Sequence, residues 1–83
     1  MGATAQILRY EGLEGLVTVV EDLVTDSGVA DAILTIYSAL LDGDVDIAWD
    51  YFDQGKSITI LRSPEHYGIF EDISRWMWEQ KYI

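Results

Sequence analysis

The chain has 83 residues, 49% of them hydrophobic, no cysteine, and a formal net charge of −10 at pH 7. A chain of this length is predicted to form a single domain over residues 1–83. The lack of cysteine excludes disulfides and thiolate metal sites as sources of stability. The apolar content excludes wholesale disorder, so a dense core or an oligomer has to stabilise the fold.

The acidic residues are concentrated in one half of the sequence. Eleven acids and no lysine or arginine fall between Tyr10 and Gly55, whereas the segment from Lys56 to Ile83 has four charges of each sign. A negative electrostatic field concentrated in one part of the protein repels nucleic acid and anionic membranes and attracts basic protein surfaces. General solubility and adaptation to high salt are the alternatives, although salt adaptation predicts acids over the whole surface.

The first half of the chain is predicted to form a short arm and two helices. In chain order these are a strand or extended arm over residues 3–10, an amphipathic helix from Leu13 to Thr25, and a second helix from Val29 to Leu41. In both helices the apolar residues recur at intervals of three and four, which is typical of one buried face. Asp26 or Ser27 is the predicted N-cap of the second helix, and Asp42–Gly43 ends it. The short link makes the two helices antiparallel neighbours.

The segment from residue 44 to residue 53 has two interpretations. As a strand it alternates its apolar and acidic residues, and a turn near Gly55 joins it to a second strand over residues 57–62. As a helix it begins at an Asp44 N-cap and clusters Ile47, Ala48, Tyr51 and Phe52 on one side. The β-branched run from Ser57 to Leu61 favours the hairpin.

The last element is a helix that starts at Ser63 and Pro64, a typical N-cap and first-turn pair, and runs to about Gln80. The predicted fold class is therefore α+β. A helical hairpin and this C-terminal helix pack on a small antiparallel sheet, which consists of a β-hairpin near 45–62 and a possible N-terminal strand. The alternative is an all-α bundle.

No motif predicts an enzyme, and we expect no catalytic residue, no metal ligand and no cofactor. The acids of residues 42–53 are spaced in part like a calcium loop, but Ile47 stands where such a loop needs glycine. His66 lies near the core stripe of the last helix and is interpreted as a packed residue. Ser63 lies near it in sequence, but the pair lacks a third group and a nucleophile-elbow pattern.

Two sets of residues are candidates for partner binding. The acidic set consists of Glu14, Glu21, Asp22, Asp42, Asp44, Asp46, Asp50 and Asp53. The aromatic set consists of Tyr67, Trp78 and Tyr82, which form either an exposed patch or a small satellite core. Carboxylates two residues apart on a strand, about 6.5–7 Å, or at i, i+4 and i+7 on a helix, can stand in for the phosphates of nucleic acid.

These features predict a non-catalytic interaction protein, an inhibitor that occupies a basic, nucleic-acid-binding surface of its partner by charge mimicry. It would bind neither nucleic acid nor membrane itself, and would act in the cytoplasm, that of a host if the protein is viral. In character, though in no motif, the chain is similar to the small acidic inhibitors of phages and other mobile elements, such as anti-CRISPR proteins. The alternative is an assembly module that forms a homodimer through the C-terminal helix, with its acidity serving solubility.

Overall fold

A computed structural model describes residues 2–83, and within that range the chain forms helices and turns but no strand. The α-helices are α1 (Ala3–Glu11), α2 (Gly15–Leu23), α3 (Ser27–Leu41), α4 (Val45–Arg62) and α5 (Tyr67–Glu79). Short 3-10 turns, Gly12–Glu14 and Pro64–His66, precede α2 and α5. The predicted α+β fold is therefore wrong, and its alternative, the all-α bundle, fits.

The segment predicted as a β-hairpin near 45–62 is the longest helix, α4. Its buried face consists of Ala48, Phe52, Gly55 and Thr59. The β-branched Thr59 is accommodated because its hydroxyl donates to the Gly55 carbonyl one turn earlier, at 2.7 Å. Because this face packs on α3, tertiary contact overrides the strand preference of the β-branched run.

The N-terminal arm is also helical, so the possible N-terminal strand is wrong as well. Thr4 and Leu8, one turn apart in α1, are both buried. Gly12 ends the helix with a φ of 63°, and its N–H donates to the Leu8 carbonyl. Leucine, arginine, glutamine and alanine are good helix formers, and two buried positions at an i, i+4 spacing suffice to anchor so short a helix.

The predicted break between the first two long helices is confirmed. Asp26 is the N-cap of α3, and its side chain accepts the N–H groups of Gly28 at 2.8 Å and Val29 at 3.1 Å. The predicted start of the last helix is confirmed too, since Pro64 opens the 3-10 turn that leads into α5. Ser63 occupies the cap position, but its hydroxyl donates a hydrogen bond to Asp26 and does not cap the helix.

The helices close into a ring around one core. Each α-helix packs against the next one in the chain, and α5 packs against α1. The buried apolar residues come from every helix: Leu8, Leu16, Val19, Val29, Ile33, Ile36, Ala39, Leu40, Ala48, Phe52, Phe70, Ile73, Trp76 and Met77. This order places α3 between α2 and α4. Among the described helices, none combines the length and apolar content that a membrane span requires.

Two helices end in the same backbone motif, in which the residue after the C-cap turns into the left-handed region. Gly43 follows α3 with a φ of 82°, and Lys81 follows α5 with a φ of 64°. The next N–H then returns to the last turn, Asp44 to the Ala39 carbonyl at 2.9 Å and Tyr82 to the Met77 carbonyl at 3.0 Å.

Lys81→Gly is expected to stabilise the protein by about 0.5–1 kcal/mol, because glycine adopts this conformation without the strain that a side chain adds there. The free energy of unfolding, measured with urea, checks this. Gly43→Ala is the matched opposite change and is expected to cost about 1 kcal/mol. Equal stability of all three proteins would show that the two positions are not held left-handed.

Candidate partner-binding surface

The acids of α4 form a row on one side of the helix. Asp46, Asp50 and Asp53 are all exposed and follow the i, i+4, i+7 spacing of a helix rather than the alternation expected of a strand. Along the helix axis, Asp46 and Asp50 are about 6 Å apart, and Asp50 and Asp53 are about 4.5 Å apart. Asp42 and Asp44 are exposed in the link that precedes α4. Asp44 stands at the N-cap position without a side-chain cap bond, so its carboxylate remains directed to solvent.

We call five carboxylates, Asp42, Asp44, Asp46, Asp50 and Asp53, the α4 acidic row, and none of them forms an ion pair with a base of the described residues. Among the described residues, Arg62 lies 3.7 Å from the Asp26 carboxylate and His66 lies 3.6 Å from Glu65, and neither contact involves an acid of the row. Within α4 the row presents about one negative charge per 5 Å of axis. One strand of DNA presents one phosphate per about 3.4 Å, so the charge density is somewhat lower but of the same order.

The acids of α2 and the preceding turn lie elsewhere. Glu14, Glu21 and Asp22 are exposed, but α3 lies between α2 and α4, which do not contact each other in the described chain. Glu14 also accepts a hydrogen bond from the Tyr37 hydroxyl at 2.9 Å, which raises the pKa of Tyr37. The eight predicted acids therefore divide into two groups on non-adjacent helices.

The predicted aromatic set is divided as well. Trp78 is 60% exposed and lies 5.9 Å from the ring of Trp49. Tyr82 is half-buried, since the C-terminal tail folds back and places its ring 5.7 Å from that of Trp76. Tyr67 is eleven residues from Trp78 on α5, about 16 Å along the helix axis. No single patch contains all three side chains, because Tyr82 packs against the main core.

Tyr67 instead lines a groove of about 330 Å³ between α4 and α5. Phe52 and Phe70 also line it, and Lys56 and Arg75 border it. None of the acids of the α4 acidic row lines this groove. The groove was not predicted, because its two walls were assigned to a hairpin and a helix.

Polar side chains join the link between α2 and α3 to the link between α4 and α5. The Ser63 hydroxyl donates to the Asp26 carboxylate at 3.0 Å, and Arg62 approaches the same group at 3.7 Å. The Thr25 N–H donates to His66 Nε2 at 3.2 Å. His66 is buried, as predicted, and Ser63 is bonded to Asp26 rather than to the imidazole.

Asp26 makes this junction sensitive to acid. The backbone N–H of Val29 is the main cause that lowers its pKa below the ordinary value of 3.8, partial burial opposes it, and Ser63, Gly28 and Arg62 lower it further. A carboxyl group with a lowered pKa contributes stability above its unfolded pKa, and that contribution is lost as the pH falls through the folded value.

Asp26→Asn is therefore expected to lower the urea midpoint at about pH 7 and to have a smaller effect at about pH 3, because the stability that ionised Asp26 contributes is progressively lost below its ordinary pKa of 3.8. Asparagine keeps the cap acceptor, so the comparison isolates the charge. The other acids are the same in the wild type and the variant, so their effect cancels in the difference between the two urea midpoints. An equal loss at both pH values would show that the carboxylate charge is not what matters.

An exposed, mainly apolar stripe runs along α4 and was not predicted. Ile47, Ile58 and Leu61 are 44%, 37% and 84% exposed, and Tyr51 is half-buried. Together with Gln54 they are separated by four, three, four and three residues, which is the spacing of a coiled-coil seam. This spacing places the five side chains on one face only if the segment is a helix. The strand interpretation therefore did not predict the seam.

Among the described residues, no group of three or more His, Cys, Asp or Glu side chains is placed to hold a metal ion. A scan against protein-family models, a search of curated proteins and a search of solved structures each gave no match to this chain.

Proposed function

We propose that this protein is a non-catalytic inhibitor that binds a basic, nucleic-acid-binding surface of a partner protein through the α4 acidic row. The observation that carries the proposal is the row itself, five exposed carboxylates with no ion pair to a base of the described chain. A row of unpaired carboxylates attracts Lys and Arg side chains and competes with phosphates for them. The protein would act in the cytoplasm, that of the host if it is viral.

The position of the row on a helix supports this function. Acids on a packed helix are held at fixed spacing, so they lose less conformational freedom on binding than acids on a mobile loop would. The α2 acids lie across α3 from the row. They add to the long-range field that steers a basic partner, whereas the α4 acids make the contact.

The proposal is tested with a tagged protein that captures partners from the native host extract at about 50 mM and about 200 mM salt. We expect nucleic-acid-binding proteins to be captured at low salt and largely lost at high salt. The variant Asp46→Asn, Asp50→Asn, Asp53→Asn is expected to lose the capture even at low salt, by about tenfold or more.

The matched control removes the same amount of charge elsewhere, by the changes Glu65→Gln, Glu71→Gln and Glu79→Gln, all at exposed positions of the C-terminal segment. This control should still capture the partner at low salt. If the two variants behave alike, or if the α4 variant keeps its partner at high salt, the acidic row is not the binding surface.

The second candidate function is self-assembly through the C-terminal helix, and the observation that favours it is the 60% exposure of Trp78. A homodimer through this residue would dissociate on Trp78→Ala. Light scattering at micromolar concentration separates the two functions, because the inhibitor is expected to be monomeric and the assembly module dimeric.

A further inference from the structure

The exposed seam of α4, formed by Ile47, Tyr51, Gln54, Ile58 and Leu61, extends from residue 47 to residue 61, about 21 Å of helix axis. Apolar residues thus occur on two neighbouring faces of α4. One side enters the core, whereas the seam has no covering element within the described chain. An exposed apolar stripe of this length on so small a protein is typical of an interaction site.

The middle of the seam forms one wall of a groove. This groove, of about 340 Å³, runs between α3 and α4 and is lined by Asp31, Ala32, Thr35, Tyr51, Gln54 and Ile58, among others. Its floor is low because α3 and α4 approach closely at Gly55, where no side chain intervenes. A shallow groove that continues into an exposed apolar seam at both ends accepts one helix laid along it.

The charges beside the seam determine which helix fits. Asp46, Asp50 and Asp53 border it on the outer side of α4, and Asp31 borders the groove on α3. Arg62, near its C-terminal end, is already paired with Asp26. A second copy of this chain would bring acidic rims together, which is destabilising, whereas lysine and arginine on the flanks of a partner helix would face carboxylates.

We infer that the groove between α3 and α4 binds an amphipathic basic helix of the partner, with its apolar side on the α4 seam and its basic flanks on the acidic row. This inference rests on the proposed function and specifies the partner's chemistry. Charge alone would recognise any basic surface, and the seam adds the requirement that the basic residues flank an apolar stripe. The central Gln54 supplies the polar position that fixes the register of a paired helix.

The test uses two synthetic peptides of identical composition, each long enough for about four helical turns. In one, leucine occupies the seam positions and lysine the flanks. In the other, the same residues are scrambled so that no apolar face exists. Fluorescence anisotropy gives the affinity of each labelled peptide, and amide NMR shifts locate its binding site.

We expect the amphipathic peptide to bind at least about tenfold more tightly than the scrambled one. The variant Ile58→Gln, Leu61→Gln changes only exposed side chains and should reduce this affinity to that of the scrambled peptide. Amide shifts should concentrate at Thr35, Tyr51 and Gln54.

Equal affinity of the two peptides, or shifts confined to α2 or α5, would overturn the inference. If the peptides bind equally and both are weakened by the Asp-to-Asn changes in α4, the inhibitor function stands while the helix-binding groove is wrong. A concentration-dependent dimer that the Ile58→Gln, Leu61→Gln variant abolishes would also overturn the inference, since the seam would then bind a second copy.

Discussion

Phe70→Ala is expected to destabilise the protein by about 3–5 kcal/mol. The Phe70 side chain is 1% exposed and lies 5.8 Å from the ring of Phe52, so it connects α5 to α4 within the core. A domain of 83 residues has a total stability of about 4–12 kcal/mol. The variant should therefore lose at least about a quarter of the total stability, as urea unfolding followed by circular dichroism will measure.

Phe70→Leu is the matched control, because it keeps most of the apolar volume and should cost less than about 1.5 kcal/mol. A decrease in the free energy of unfolding of less than about 1 kcal/mol for the alanine variant would contradict the packing of α5 on α4, because a cavity of that size in a well-packed core costs more.

Gly55→Ala is expected to cost about 1–2 kcal/mol, although alanine in the middle of a helix normally stabilises. A Cβ at residue 55 would lie 2.8 Å from the Ala32 Cβ and 3.0 Å from a ring carbon of Phe70. The two helices must therefore move apart, and the loss of packing outweighs the gain in helix propensity. The free energy of unfolding from urea titration measures the net effect.

Gly68→Ala in α5 provides the control, because nothing lies within 4 Å of a Cβ built there. It should stabilise the protein by about 0.5–1 kcal/mol, so the two glycine substitutions have opposite signs. Ala32→Gly should recover part of the loss in the Gly55→Ala background, since it removes the atom that clashes. A stabilising Gly55→Ala would contradict the close contact of α3 and α4.

The sequence predicts the helices with strong caps and fails where local and tertiary signals conflict. Asp26 and Gly43 mark real boundaries because a cap and a left-handed turn are local chemistry. The run from Ser57 to Leu61 was assigned to a strand because β-branched residues prefer one, but its buried Thr59 and the glycine at 55 pack it as a helix on α3. That contact is non-local, so propensity could not reveal it.

The candidate surface was predicted only in part, because its composition is local but its arrangement depends on contacts between helices. The exposure of the acids follows from their charge, and the helical alternative already placed Asp46, Asp50 and Asp53 at i, i+4 and i+7. Which acids lie together depends on the order of the helices in the ring, and this separates Glu21 and Asp22 from α4. The seam and the groove beside it can be predicted only when residues 45–62 are assigned to a helix.

The central claim is that the α4 acidic row takes the place of nucleic acid on a basic partner, and competition measures this directly. Fluorescence anisotropy of labelled nucleic acid bound to the captured partner should fall as the wild-type protein is added, to the value of free nucleic acid. The Asp46→Asn, Asp50→Asn, Asp53→Asn variant should leave it unchanged at the same concentration. A rise in anisotropy, which reports a ternary complex, or equal displacement by the variant would contradict the claim.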